Sequence, residues 1–166
     1  MQVPVYPYCF SSHYLNAFGA IQGDCSILTL NVRGLRSQLK RSIFSYLKDQ
    51  NYQFLFLQEI YSQPNNEKIW RSEWGGHIFF SHGSTHSKGV CILINPSLSL
   101  SSSIENFSRD RDGRIISINL VLTPANSSLC NVYAPNDSQQ QQLFLRNLNE
   151  YLMSNADTSN LVVGGD

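Results

Sequence analysis

Residues 54–57, Phe-Leu-Phe-Leu, constrain this chain more than any other stretch, because four large apolar side chains follow one another without a polar break. Successive side chains of a strand point to opposite faces, so such a run needs cover on both. A chain holding one must build layers on either side of it, and the flanking segments supply the material. Residues 26–30 (SILTL) form a second short β-rich run, followed by a turn at Gly34. Leu39, Ile43, Phe44 and Leu47 recur at helical spacing, predicting a helix over 38–49 with these residues on one face. A second helix is predicted over 65–74, stopped by Gly75-Gly76. Segments 77–81, 89–94, 114–122 and 128–133 predict strands, being rich in Ile, Val, Phe and Leu and separated by Gly, Pro, Asn and Ser. The tract 97–103 is either an edge strand or a loop. Asp137 or Ser138 caps a predicted helix running to about residue 153, with Leu143, Phe144, Leu148 and Leu152 inward. Leu161-Val162-Val163 then predicts a short buried strand leading to Gly164-Gly165-Asp166.

This order predicts an α/β fold of packed layers. Residues 1–24 show no clear period and are expected to form a loosely attached extension, leaving 25–166 as the domain. A central strand as the final feature leaves its neighbours unplaced, so the domain is expected to be incomplete at its C-terminus.

Composition narrows the class. The chain has 166 residues, 42% hydrophobic and 14% charged, which suits one domain with a real core and is too apolar for disorder. No run approaches the roughly 20 apolar residues of a membrane span. The N-terminus has no basic start or apolar block, and Pro4 and Pro7 come early, unlike a secretion signal. Twelve Lys and Arg balance twelve Asp and Glu, so there is no general basic surplus for nucleic acid. Two local clusters remain: Arg33, Arg36, Lys40 and Arg41, and Arg109, Arg111 and Arg114. A solvated face is the simpler account of either alone; phosphate contact requires a site beside it. Cys9, Cys25, Cys91 and Cys130 form no CxxC pair and fit buried roles in a reducing compartment. The His82/His86 and Cys9/His13 spacings lack the second pair that a structural zinc site needs.

Three apolar strands end on oxygen-bearing side chains: Asn31, Glu59 and Asp166. In layered α/β folds ligands gather at the carboxyl ends of strands, and a hard cation wants a few carboxylate and amide oxygens rather than a Cys/His cage. Each residue alone is most simply a turn signal. Their company raises the functional reading, since 131–136 (NVYAPN) ends another strand and adds Tyr133 and Asn136 to the same rim.

The motifs LNVRGLRS, FLFLQE, SKGVCILI, DGRIISINL, NVYAPN and VVGGD, in this order over residues 26–166, resemble the endonuclease/exonuclease/phosphatase superfamily. The resemblance is strongest to the apurinic-like endonuclease domain of non-LTR, LINE-type retrotransposons. It implies a four-layer α/β sandwich of two packed mixed sheets flanked by helices, and Mg²⁺-dependent hydrolysis of DNA phosphodiesters, with Mn²⁺ able to substitute. Glu59 resembles the metal ligand, and Asn31 the amide supporting the metal site. Tyr133 resembles the tyrosine on the scissile phosphate, Asn136 the asparagine of the DNA-facing rim, and Asp166 the aspartate that orients or deprotonates the attacking water. His82 and Ser87 fall in a loop that in the family approaches substrate. Arg33 stands where apurinic enzymes often carry an acid, implying fewer metal ligands and a cation that meets a phosphate. The family's asparagine two residues after GGD and its later Ser-Asp-His motif are absent, so activity of this chain is expected to be crippled. The alternatives are a non-catalytic remnant and another superfamily phosphodiesterase or phosphatase, such as an RNA deadenylase. The partners implied are duplex DNA, no membrane, and a reverse transcriptase downstream in the parent protein. The implied location is intracellular, at nuclear DNA, with no targeting signal in view.

Overall fold

The computed structural model describes residues 11–15, 25–50, 52–98, 104–121, 126–157 and 160–166. One mixed sheet contains β1 (Ser11–Leu15), β2 (Cys25–Asn31), β3 (Phe54–Gln58), β4 (Ile78–Ser81) and β5 (Val90–Ile94), in the order β1-β2-β3-β5-β4. The other contains β6 (Ile104–Arg109), β7 (Ile115–Leu120), β8 (Ser127–Val132) and β9 (Leu161–Gly165), in chain order. Helix α1 (Gln38–Arg41) comes first without burying a residue, α2 (Ile43–Asp49) and α3 (Glu67–Trp74) cover the first sheet, and α4 (Ser138–Asn155) covers the second. The result is the expected four-layer α/β sandwich. Within the segment 1–24, Ser11–Leu15 pairs antiparallel with β2 as an edge strand.

Strand β3 is buried along its whole length, and its alternation divides the core. Leu55 and Leu57 face Phe44, Leu47, Trp70 and Trp74 of the helices, whereas Phe54 and Phe56 face Ile116, Ile118 and Leu129 of the second sheet. A third cluster joins Ile115 and Cys130 to Phe144, Leu148 and Leu152 of α4. Cys91 and Cys130 are free and buried, as expected of small apolar fillers. Among the described residues no helix is long and apolar enough to cross a membrane.

Three expectations need correction, and one strand was not among them. The helix over 38–49 breaks at Ser42, so α1 and α2 do not share a face; Leu39 is 70% exposed while Ile43, Phe44 and Leu47 are buried. In α4 the inner stripe passes through Phe144, Leu148, Tyr151 and Leu152, which leaves Leu143 outside and 57% exposed. Only Val162 of the last strand is buried, and Val163 is 43% exposed, as alternation at a sheet edge requires. Strand β6 had no forecast at all, because IENFSR carries little apolar signal and is set by its pairing with β7. The 97–103 tract begins as a loop at Ser97 and Leu98; the rest lies outside the described residues.

Both sheets contribute a parallel pair, β2 with β3 and β8 with β9, so four carboxyl ends open at one rim. A buried amide pair locks them together. Asn131 of β8 donates to the carbonyls of Leu57 (3.0 Å) and Cys91 (2.8 Å) and accepts from Gln58 Nε2 at 2.7 Å. Gln58 Nε2 also lies 3.0 Å from Thr29 Oγ1, and both amide side chains are fully buried. Replacing one member strands the others' polar atoms in the core. Asn131→Leu should therefore lower the unfolding free energy by about 3 kcal/mol. Urea denaturation would show a lower midpoint at unchanged slope; an unchanged midpoint would refute the bridge.

Candidate functional site

The β2–β3 ladder continues past the strands as two loops side by side. Val32 N donates to Gln58 O, Gly34 N to Glu59 O and Leu35 N to Ile60 O. To keep this pairing while turning the side chains, Arg33, Glu59 and Tyr61 adopt positive φ (47°, 52° and 55°), and Lys88 of the adjoining loop does too (62°). Left-handed backbone in non-glycine residues costs on the order of 1 kcal/mol each and clusters at functional sites. Across the rim, β8 and β9 also continue: Asp166 N donates to Val132 O, and Ala134 N to Asp166 O. A Cβ on Gly165 would run into the Val132 carbonyl, so the glycine before Asp166 is required for this approach.

Four of the sequence-predicted residues meet here. Asn31 Nδ2 donates to Glu59 Oε1 at 3.0 Å and to Asp166 Oδ2 at 2.7 Å, bridging one carboxylate from each sheet. Its own Oδ1 accepts from Arg33 N–H at 3.1 Å, which fixes the amide's orientation. Tyr133 Oη donates to Glu59 Oε1 at 2.8 Å. Arg114 holds Tyr133 from behind, its Nη1 3.0 Å from the Tyr133 carbonyl and its guanidinium 5.2 Å from the ring centre. A fifth member, Tyr61, donates to Glu59 Oε2 at 2.8 Å. Sequence reasoning missed it, although a hydroxyl two residues beyond Glu59 was the available signal. Arg109 and Arg41 are used structurally, the first on Phe80 O and the second in a 2.5 Å ion pair with Glu73.

The other predicted residues lie outside this cluster. Arg33 is exposed, and its charge reaches Glu59 without a hydrogen bond. Asn136 is exposed beyond β8. Ser87 is exposed and bonds within its loop to Ser84. His82 is only 13% exposed, with Nδ1 2.8 Å from Ser62 Oγ and Nε2 2.8 Å from Glu67 Oε1, so both ring nitrogens are engaged. Burial acts to raise the Glu67 carboxyl, but the hydrogen bonds from His82 and Arg71 outweigh it and lower its pKa.

Burial likewise acts to raise the Glu59 pKa, and the donors Asn31, Tyr133 and Tyr61, with the Arg33 charge, overcome it and hold the carboxyl below its usual range. Burial and the neighbouring Glu59 push the Tyr133 phenol up to about 12. Tyr61 is raised for the same reasons. Both phenols therefore remain donors to an ionised carboxylate at neutral pH. The two carboxylates, Glu59 and Asp166, suit a hard divalent cation, which needs just one or two and keeps several waters, while Asn31 turns its N–H donors to them and so supports the site instead of offering an oxygen. Among the described residues no three His, Cys, Asp or Glu side chains converge.

Residues 28–166 match the profile of the endonuclease/exonuclease/phosphatase family. The chain belongs to that family. It is similar to the Transposon TX1 uncharacterized 149 kDa protein of Xenopus laevis, 32% identical over 147 residues, which are 85% of this chain and 11% of that protein. Its structure is similar to the AP endonuclease LMAP from Leishmania major, with TM-score 0.66 and 18% identity over 84% of this chain and 54% of the other. It is also similar to an AP endonuclease from Archaeoglobus fulgidus, with TM-score 0.64 and 25% identity over 84% and 56% of the two chains. The chain thus spans about half the length of these endonucleases and about a tenth of the transposon protein.

The Tyr133–Glu59 contact has a defined pH window in metal-free protein. Tyr133 is raised, so its contribution is complete below about pH 10 and is lost as pH rises through about 12. Glu59 is depressed, so its contribution is complete above about pH 4.3 and is lost as pH falls through the lowered value. With chelator present, the ¹³Cζ resonance of Tyr133, assigned by Tyr133→Phe, should titrate near 12 and move toward 10 in Glu59→Gln. A wild-type midpoint near 10 would contradict the contact.

Proposed function

We propose that this domain is a Mg²⁺-dependent phosphodiester hydrolase that nicks duplex DNA for a non-LTR retrotransposon. The observation that carries the reading is the Asn31 bridge between Glu59 and Asp166, with Tyr133 on the same carboxylate. The transposon relative and the structural likeness to AP endonucleases support it. Hydrolases of this family generally depend on a divalent metal. Glu59 would hold the cation, with Asn31 as the amide that supports it, and the cation when bound would supply Lewis-acid polarisation and neutralise developing charge.

The chain's own groups have separable roles. Asp166, aligned by Asn31, accepts a proton from the water as its oxygen bonds to phosphorus and the P–O3′ bond breaks, the leaving 3′-oxygen taking a proton from solvent. The Tyr133 phenol stays protonated and donates to a phosphoryl oxygen as charge builds there. Arg33, exposed beside Glu59, and Asn136 at the loop before α4 meet the flanking backbone. Such contacts position a duplex without reading its sequence. On this reading the nick exposes a 3′-hydroxyl that primes a reverse transcriptase elsewhere in the parent protein, inside the cell at nuclear DNA.

Supercoiled plasmid should be converted to open circles in Mg²⁺, and chelator or Glu59→Ala should return conversion to background. Asp166→Asn should reduce it by on the order of 100-fold or more at unchanged folding. Nicking that survives Glu59→Ala would overturn the assignment. A folded, cation-binding wild type that leaves plasmid intact would replace the nickase with a non-catalytic remnant.

A further inference from the structure

Tyr61 is held in place by three features that have no purpose in the core. Its ring lies on the backbone of Gly34, where φ is +91° and a Cβ would stand 2.6 Å from Tyr61 Cδ2 and 3.0 Å from Cε2. Its amide donates to Lys88 O at 3.1 Å. Its own φ of 55° is the left-handed conformation an aromatic residue rarely adopts. Together they aim the phenol back at the residue two positions earlier.

The target is specific. Glu59 Oε1 receives Asn31 and Tyr133, while among the described residues Tyr61 alone donates to Oε2. The terminal torsion of a glutamate is broad, so a carboxylate held at one oxygen still swings. A donor on the second oxygen removes that freedom and orients both lone-pair sets before a cation arrives. We propose that Tyr61, seated on Gly34, is a positioning residue that pre-orients Glu59 for capture of a divalent cation. The inference rests on the metal-site reading above, and concerns this chain's own second layer of support around it. Partners of this kind are worth about 10- to 100-fold in metal affinity.

The test is Mn²⁺ binding to the folded, nuclease-substrate-free chain, followed by electron paramagnetic resonance, with thermal melting of every variant. The wild type should bind one ion that Glu59→Ala loses. Tyr61→Phe keeps the ring on Gly34 and should weaken binding by about 10- to 100-fold at a nearly unchanged melting temperature. Tyr46→Phe, altering an exposed tyrosine of α2, should leave affinity as it is. Gly34→Ala should weaken binding in the same direction, by displacing the ring. Wild-type affinity in Tyr61→Phe would overturn the inference while leaving the metal site standing. Failure of the wild type to bind Mn²⁺, or binding indifferent to Glu59→Ala, would overturn the metal site itself and the inference with it.

Discussion

The amide pair of Gln58 and Asn131 is the constraint on which the rest of the site depends. Each sheet alone can hold its own parallel strands, but neither fixes the distance between them. Apolar packing of Phe54 and Phe56 against Ile116, Ile118 and Leu129 is non-directional and tolerates sliding. A hydrogen-bonded pair does not tolerate it, because a shift of an ångström or so leaves buried polar atoms unmet. Gln58 precedes Glu59 and Asn131 lies two residues before Tyr133, so the lock sits immediately behind the two groups that must meet. Gln58 Oε1 accepts no hydrogen bond among the described residues, so the pair is held through its donors.

In front of that lock the site is built at a cost in backbone conformation. Arg33, Glu59, Tyr61 and Lys88 are all left-handed; the ladder between the loops at 32–35 and 58–60 holds the first two, and the bond from Tyr61 N to Lys88 O joins the others. The return is a carboxylate whose oxygens are both engaged by donors and which remains ionised despite burial. Asn31 couples it to Asp166 across the sandwich, so a disturbance of either strand end reaches the other. A preorganised cluster of this kind suits chemistry in which charge develops at a fixed place.

Much of this was legible in the chain. The FLFL run required layers on both faces, and the strands ending in Asn31, Glu59, Tyr133 and Asp166 brought those residues to one rim. Local signals also held where they were local: Gly75 ends α3 in a left-handed cap, and the Asp137 side chain caps α4. What failed depended on tertiary context. Leu39 is spaced for the helical face but Ser42 breaks the helix before that face is shared. Strand β6 exists because β7 offers it an edge, not because IENFSR prefers a strand. The engagement of both His82 ring nitrogens rests on Ser62 and Glu67, whose nearness no spacing reveals. The role of Tyr61 is hidden in the sequence for a related reason, since its positive φ turns it onto Glu59.

On the proposed reading, two sheets locked by a buried amide pair assemble one divalent-cation site at their shared rim. The most direct measurement is the anomalous scattering of Mn²⁺ in crystals of this chain. The expected result is a peak bonded to a Glu59 carboxylate oxygen, with Asn31 and Asp166 around it and Tyr61 still on the other oxygen. A crystal saturated with Mn²⁺ whose peaks lie away from Glu59, or that shows none, would contradict it.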